Sequence, residues 1–393
     1  MTLPAVLGGP PAFPEGLRFA RPMVPSLDAV TRRLRDGYDD AVVTNDRLVR
    51  QLEEEAAVWL GARHVVAVAS CTSGLMLTLQ ALAPGRAVVL PSFTFSASAH
   101  AVVWNGGAPV FAECGLGTAQ VDVVDLERRL PEAAAILATH VFGAPCEADR
   151  LEAMARDAGV PLVFDAAHGF GATRQGRPVG SFGDAEVFSM SPTKLVIAGE
   201  GGLVATDRAD VAEHVRLGRD YGNPGDYNTR FVGLNARLSE LHAAVAIESL
   251  ALLPEHLARR REIAARYRSA LDGLPGVGAQ DVPDGDQSTY KDFTIRIDGA
   301  SFGLSRDAVV DALAREGIQT RRYFSPPVHL QDAYARWGPR RLPVTERLSA
   351  QVVSLPIYPS LSGPDVARIG EVLGDLHEHA AAVGVRADQA GAG

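Results

Sequence analysis

Short apolar runs recur along the first two thirds of the chain, each followed by a polar or helically spaced stretch. The runs are Val65–Ala69, Ala87–Leu90, Pro109–Ala112, Ala134–Thr139, Leu162–Asp165, Ala185–Met190 and Leu203–Thr206. Their length and near-continuous hydrophobicity predict buried strands. Between them, Ser73–Leu82, Ser96–Asn105 and Glu147–Ala158 carry apolar residues at helical spacing. Ser26 to Trp59 reads as one or two helices ended by Gly61. Strands alternating with helices predict an α/β fold with a mostly parallel central sheet and helices on both faces. In such sheets ligands gather beyond the carboxyl ends of the strands, so the polar residues just after each run are the candidates for chemistry.

The remaining pattern divides the chain. Residues 1–25 are rich in Pro and Gly and predict an irregular arm; residues 26–245 form a large domain. A long helical pattern from Ala236 to Leu271 leads into a smaller domain, residues 246–384. There Phe293–Ile297 and Gln319–Tyr323 read as strands, and Ser305–Glu316 and Pro364–Ala381 as helices. Residues 385–393 are small and polar and predict a frayed tail.

Composition narrows the function classes. A formal net charge of −9 with no basic block argues against a nucleic-acid partner. No apolar run approaches about 18 residues, so no membrane span is expected. The N-terminus lacks the basic and apolar regions of a signal peptide. Cys71, Cys114 and Cys146 have no metal-type spacing, which fits a reducing cytoplasm. Arginine supplies nearly all the basic charge, and lysine stands only at positions 194 and 291. Codon bias explains the scarcity, yet any chemistry that needs a lysine amine has two candidates.

Four stretches follow strand ends. Ser189–Lys194 places a lysine in a loop that Gly199–Gly202 closes. Such an amine can reach a fixed aldehyde once it sheds its proton, and Ser189 can hold a phosphate. Taken alone, Lys194 could equally be a surface lysine in a Gly-rich turn. Leu162–His168 ends a strand in Asp165, which suits the partner of a protonated pyridine nitrogen or a helix N-cap. His168 can pack on such a ring or be a satisfied core histidine. Ala69–Gly74 offers N–H groups at a helix start with the Thr72 and Ser73 hydroxyls, a seat for an anion. Phe95, after a further strand, could cover a ring face or fill the core. The stretch Gly233–Glu240 reads on its own as a capped helix start.

Together these stretches resemble the DegT/DnrJ/StrS family of pyridoxal 5′-phosphate (PLP) dependent sugar aminotransferases, which have fold type I. The likeness spans Arg21 to Leu376. Eight motifs occur in family order: Cys71–Gly74, Pro91–Phe95, His140–Gly143, Asp165–His168, Ser191–Lys194, Gly199–Gly202, Gly233–Arg237 and Leu342–Glu346. The resemblance implies that the large domain binds PLP, with Lys194 carrying it. It assigns Asp165 to the pyridine nitrogen, Thr72, Ser73 and Ser189 to the phosphate, Phe95 to the ring face, and His168 to the ring hydroxyl. Asn235 matches an asparagine lent to the neighbouring subunit's phosphate, which implies a homodimer with shared sites. Family members with histidine in place of the lysine are dehydratases; the lysine here implies transamination from glutamate to a nucleotide-linked keto sugar. Ser70-Cys71 stands where Asn-Gly or Ser-Gly is frequent.

The runs His140–Cys146 and Ser239–Ala244 look most similar to members that aminate C4 of dTDP-4-keto-6-deoxyglucose. A 3-keto sugar or keto-cyclitol acceptor stays open, as does a PLP-fold sensor without turnover. Arg230, Arg237, Tyr323 and His329 are candidates for binding the sugar nucleotide, or are solvated surface residues. An NAD-dependent oxidoreductase would need G-x-G-x-x-G after the first strand, where this chain has Ser70–Gly74 instead.

Overall fold

Strand-forming runs alternate their side chains between two faces, and here both faces are covered. A computed structural model describes residues 2–337 and 341–391. In chain order its strands are β1 His64–Val68, β2 Val88–Pro91, β3 Pro109–Ala112, β4 Ile136–Thr139, β5 Leu162–Asp165, the short hairpin β6 Thr173–Arg174 and β7 Arg177–Pro178, then β8 Ala185–Ser189 and β9 Gly202–Thr206. Seven of them form the central sheet in the order β1-β9-β8-β5-β4-β2-β3. All neighbours are parallel except β9, which runs antiparallel to both β1 and β8.

The alternation is visible residue by residue. Val65 and Ala67 of β1, Leu162 and Phe164 of β5, and Leu203 and Ala205 of β9 face one core, filled by helices Arg47–Leu60, Ala148–Ala158 and Glu240–Ala251. Val66, Val68, Val163 and Val204 face the other, filled by helices Cys71–Leu82, Ser96–Trp104 and Ala209–Gly218. Burial on both sides is why the runs read as continuous hydrophobic stretches.

A second sheet, β10 Val277–Ala279, β11 Phe293–Ile297 and β12 Val352–Leu355, is antiparallel throughout. Its own core includes Tyr267, Ile295, Leu313, Val353 and Leu373. The N-terminal arm packs here: Ala5 and Ala12 donate their N–H groups to the Glu316 carboxylate, and Leu17 bridges to Ile318.

Several expectations change at this end of the chain. The long pattern Ala236–Leu271 is two helices, Glu240–Ala251 and Leu253–Ala270. The first starts late because Ser239 caps it, and the second starts afresh because Pro254 offers no N–H to continue the ladder. Gln319–Tyr323 is not a strand; its neighbourhood makes only single bridges, Ile318 to Leu17 and Arg321 to Ser354, to two different partners. The stretch read as a tail carries helix Ala380–Gly391, whose Ala-rich sequence favours helix; the last two tail residues lie outside the described ones. Among the described residues no helix is long and apolar enough to cross a membrane.

Candidate active site

The carboxyl ends of β1, β2, β4, β5 and β8 point to one edge of the sheet, and a cavity of about 360 Å³ opens there. Each strand delivers its next residues to the wall. Ser70, Cys71 and Thr72 follow β1; Thr94, Phe95 and Ala97 follow β2. Thr139, His140 and Val141 come from β4, and Asp165, Ala167 and His168 from β5. Ser189, Ser191, Thr193 and Lys194 come from β8. Lys291, Tyr323 and Phe324 close it from the far part of the chain.

The β1 wall is a helix start. Ser70 caps helix Cys71–Leu82, its Oγ accepting from the Ser73 N–H at 3.1 Å while Ser73 Oγ accepts from the Ser70 N–H. Gly202 lets this turn sit against β9: a Cβ there would lie 2.6 Å from the Cys71 nitrogen.

Asp165 is 4% exposed and heavily bonded. Its Oδ2 accepts from Ser98 Oγ at 2.6 Å, and its Oδ1 accepts from the Ala167 N–H at 3.1 Å with Cys71 Sγ 3.9 Å away. Thr94 Oγ1 lies 3.0 Å from Ser98 Oγ, and Thr139 Oγ1 donates to Thr94 Oγ1, extending a hydroxyl relay along the floor. Burial pushes the Asp165 carboxyl up, opposed by the Ser98 and Ala167 hydrogen bonds. Burial beside this carboxylate also pushes the Cys71 thiol well up.

Lys194 has its pKa drawn down from 10.5 to about 8, first by burial and then by the charge of Lys291, against the pull of Asp292, Cys71 and Asp165. An amine in this range gives up its proton far more readily than an ordinary lysine, as a general base requires. His168 is held well below its ordinary value by burial and then by the charges of the two lysines. Behind the wall, His140 Nε2 sits 3.0 Å from Glu186 Oε2 with both side chains fully buried. Glu186 Oε1 accepts from the Gly180 and Phe182 N–H groups, which locks β8 to the preceding turn.

Of the residues singled out from sequence, Thr72, Phe95, Asp165, His168, Ser189, Lys194 and Tyr323 line this cavity. Phe95 is 61% exposed, at its mouth. Ser73 does not line it, because its hydroxyl donates to the Ser70 carbonyl in the capping box. His329 lies elsewhere, its Nδ1 2.6 Å from Ser92 Oγ and its Nε2 3.5 Å from Glu346. Arg230 pairs with Asp226 on the surface, and Arg237 with Asp220 beside the Tyr221 ring. Asn235 is exposed and bridges to Asp220 through its backbone. Sequence reasoning left out Ser98, which holds Asp165, and gave no role to Lys291. Ser98 carries no local signal; Lys291 carried one, as the second of two lysines.

The donor set suits PLP: one amine of lowered pKa, one buried carboxylate, an aromatic at the mouth, and helix-start N–H groups with a Thr72 hydroxyl for a phosphate. Fold and site together define a PLP-dependent enzyme of fold type I.

Residues 28–374 match the DegT/DnrJ/EryC1/StrS aminotransferase family, and the chain belongs to it. It is 34% identical to the UDP-N-acetyl-3-dehydro-alpha-D-glucosamine 3-aminotransferase of Acidithiobacillus ferrooxidans, over 89% of this chain and 94% of that one. It is 32% identical to the spore coat polysaccharide biosynthesis protein SpsC of Bacillus subtilis, with the same coverage of 89% and 94%. Its structure overlays that of DesI with its TDP-sugar product at a TM-score of 0.89, with 38% identity and 96% of both chains covered.

Proposed function

We propose that this enzyme moves an amino group from glutamate to a nucleotide-linked keto sugar, with dTDP-4-keto-6-deoxy-D-glucose becoming the 4-amino-4,6-dideoxy sugar. The observation that carries this reading is the Lys194 amine, with a pKa of about 8, sharing one cavity with the buried Asp165 carboxylate. The similarity to DesI, solved with a TDP-sugar product, supports the nucleotide sugar.

PLP, when bound, supplies an electron sink for the carbon that loses its proton. Lys194 Nζ holds the cofactor and, when free and neutral, takes a proton from the substrate carbon and hands it on, a role worth about 10²–10⁴-fold in rate. Asp165, fixed by Ser98 and Ala167, would hold the ring nitrogen and favour its protonated form. Thr72 and Ser189 would hold the phosphate, Phe95 would cover the ring, and His168 would serve its hydroxyl; all four line the cavity. Asn235, exposed outside its own cavity, reaches the phosphate site of a second copy in a homodimer. Tyr323, on the cavity wall, contacts the sugar.

A second acceptor is a 3-keto sugar, supported by the 34% identity to the Acidithiobacillus 3-aminotransferase. The test is to load the protein with pyridoxamine phosphate and offer TDP- and UDP-linked 4-keto and 3-keto sugars, reading the product by mass and NMR. Amination at C4 of the dTDP sugar is expected. Amination only at C3 would replace the first reading with the second, and no amination of any keto sugar would overturn both.

A further inference from the structure

Lys291 and Lys194 are the two lysines lining the cavity among the described residues. Lys291 is 6% exposed, and its Nζ is 2.7 Å from Asp292 Oδ1. An ammonium carries three donors; this one commits a single hydrogen bond among the described residues, and its Nζ stands 5.9 Å from the centroid of the Tyr323 ring, which also lines the cavity. The lysine is held firmly from behind. The Lys291 N–H donates to Thr289 Oγ1, Arg260 Nη1 donates to the carbonyls of Tyr290 and Lys291, and the Thr289 N–H donates to the Gly143 carbonyl. Asp292 is 2% exposed, with Oδ2 unpartnered among the described residues and 3.9 Å from His168 Nδ1. A buried cation on a rigid loop with open donors is an anion site.

The anion is constrained by position. Lys291 sits close enough to Lys194 for its charge to act on that amine. The α-carboxylate of an amino acid is one bond from the carbon that gives up nitrogen, so its receiver must stand beside the working lysine. A sugar nucleotide's pyrophosphate lies many bonds from the reacting carbon and belongs at the mouth. We propose that Lys291, oriented by Asp292, receives the α-carboxylate of the amino donor. The proposal rests on the aminotransferase reading and names the group that selects its amino donor.

The test is calorimetric binding to the PLP-loaded protein of α-methylglutamate, which has both carboxylates but no α-hydrogen, and of 4-aminobutyrate, which lacks the α-carboxylate. Lys291→Gln should raise the dissociation constant for α-methylglutamate by about 10- to 100-fold, the loss of a charge-assisted hydrogen bond. Lys291→Arg should recover most of it. The double variant Lys291→Gln, Asp292→Asn avoids a lone buried carboxylate and should lose affinity equally. Wild type should bind 4-aminobutyrate as weakly as the Gln variants bind α-methylglutamate. Wild-type affinity for α-methylglutamate in both Gln variants would overturn the proposal while leaving the transferase reading intact. So would tight 4-aminobutyrate binding by wild type. A wild type that takes an amino group from no donor would overturn the transferase reading and this proposal with it.

Discussion

Replacing Lys194 with methionine should make the cofactor-free protein more stable. The wild-type amine has its pKa drawn from 10.5 down to about 8, which corresponds to about 3 kcal/mol at about 1.4 kcal/mol per decade. The amine lines an open cavity whose water screens it, so about 2 kcal/mol is the expected gain. The pH dependence gives the sign. Between about pH 8 and 10.5 the unfolded chain holds a proton on this lysine that the folded chain has released, so wild-type stability rises with pH across that window. Below pH 8 the penalty is fully present, and above 10.5 it is gone. Urea denaturation of both proteins without PLP, at pH 7 and again near pH 10, reads the difference directly. Lys194→Met should lead by about 2 kcal/mol at pH 7 and the lead should shrink at the higher pH. A lead that is absent, reversed or independent of pH would refute the reasoning.

Four further outcomes follow from the same geometry. Asp165→Asn should keep PLP uptake, read by absorbance, while turnover collapses; an active variant would break the pyridine assignment. Ser98→Ala removes the 2.6 Å bond to Asp165 and should cost about 1–3 kcal/mol in urea denaturation. Because that bond opposes the upward push of burial, the acid limb of the activity profile should move to higher pH. Glu186→Ala leaves His140 and two buried N–H groups without their acceptor and should lower stability by about 3–5 kcal/mol. Gly202→Ala pushes a Cβ to 2.6 Å from the Cys71 nitrogen and should weaken PLP binding in an equilibrium titration.

The central sheet was legible because both its faces are covered, so each strand stands out as an uninterrupted apolar run. The strand-end rule then pointed to Thr72, Phe95, Asp165 and Lys194, which meet in one cavity. What the pattern hid is tertiary. Ser98 lies inside a helix and meets Asp165 only through folding. Ser73 looked free for an anion, but capping-box geometry claims its hydroxyl. Lys291 sits about a hundred residues beyond Lys194, in a loop with no local motif. His329 reads as a candidate ligand, yet Ser92 fixes its ring away from the cavity. The three-residue strand β10 is too short for periodicity to mark, whereas Gln319–Tyr323 reads as a strand although the chain there makes only single bridges.

The measurement that bears most directly on the account is the absorbance spectrum of the PLP-loaded protein before and after glutamate, repeated with Lys194→Ala. The account predicts a visible band from the lysine-bound cofactor in wild type, replaced by the near-ultraviolet band of pyridoxamine phosphate once glutamate is added. Lys194→Ala should lack the first band. A wild type that binds PLP yet keeps its visible band with glutamate and every other amino donor would contradict the account.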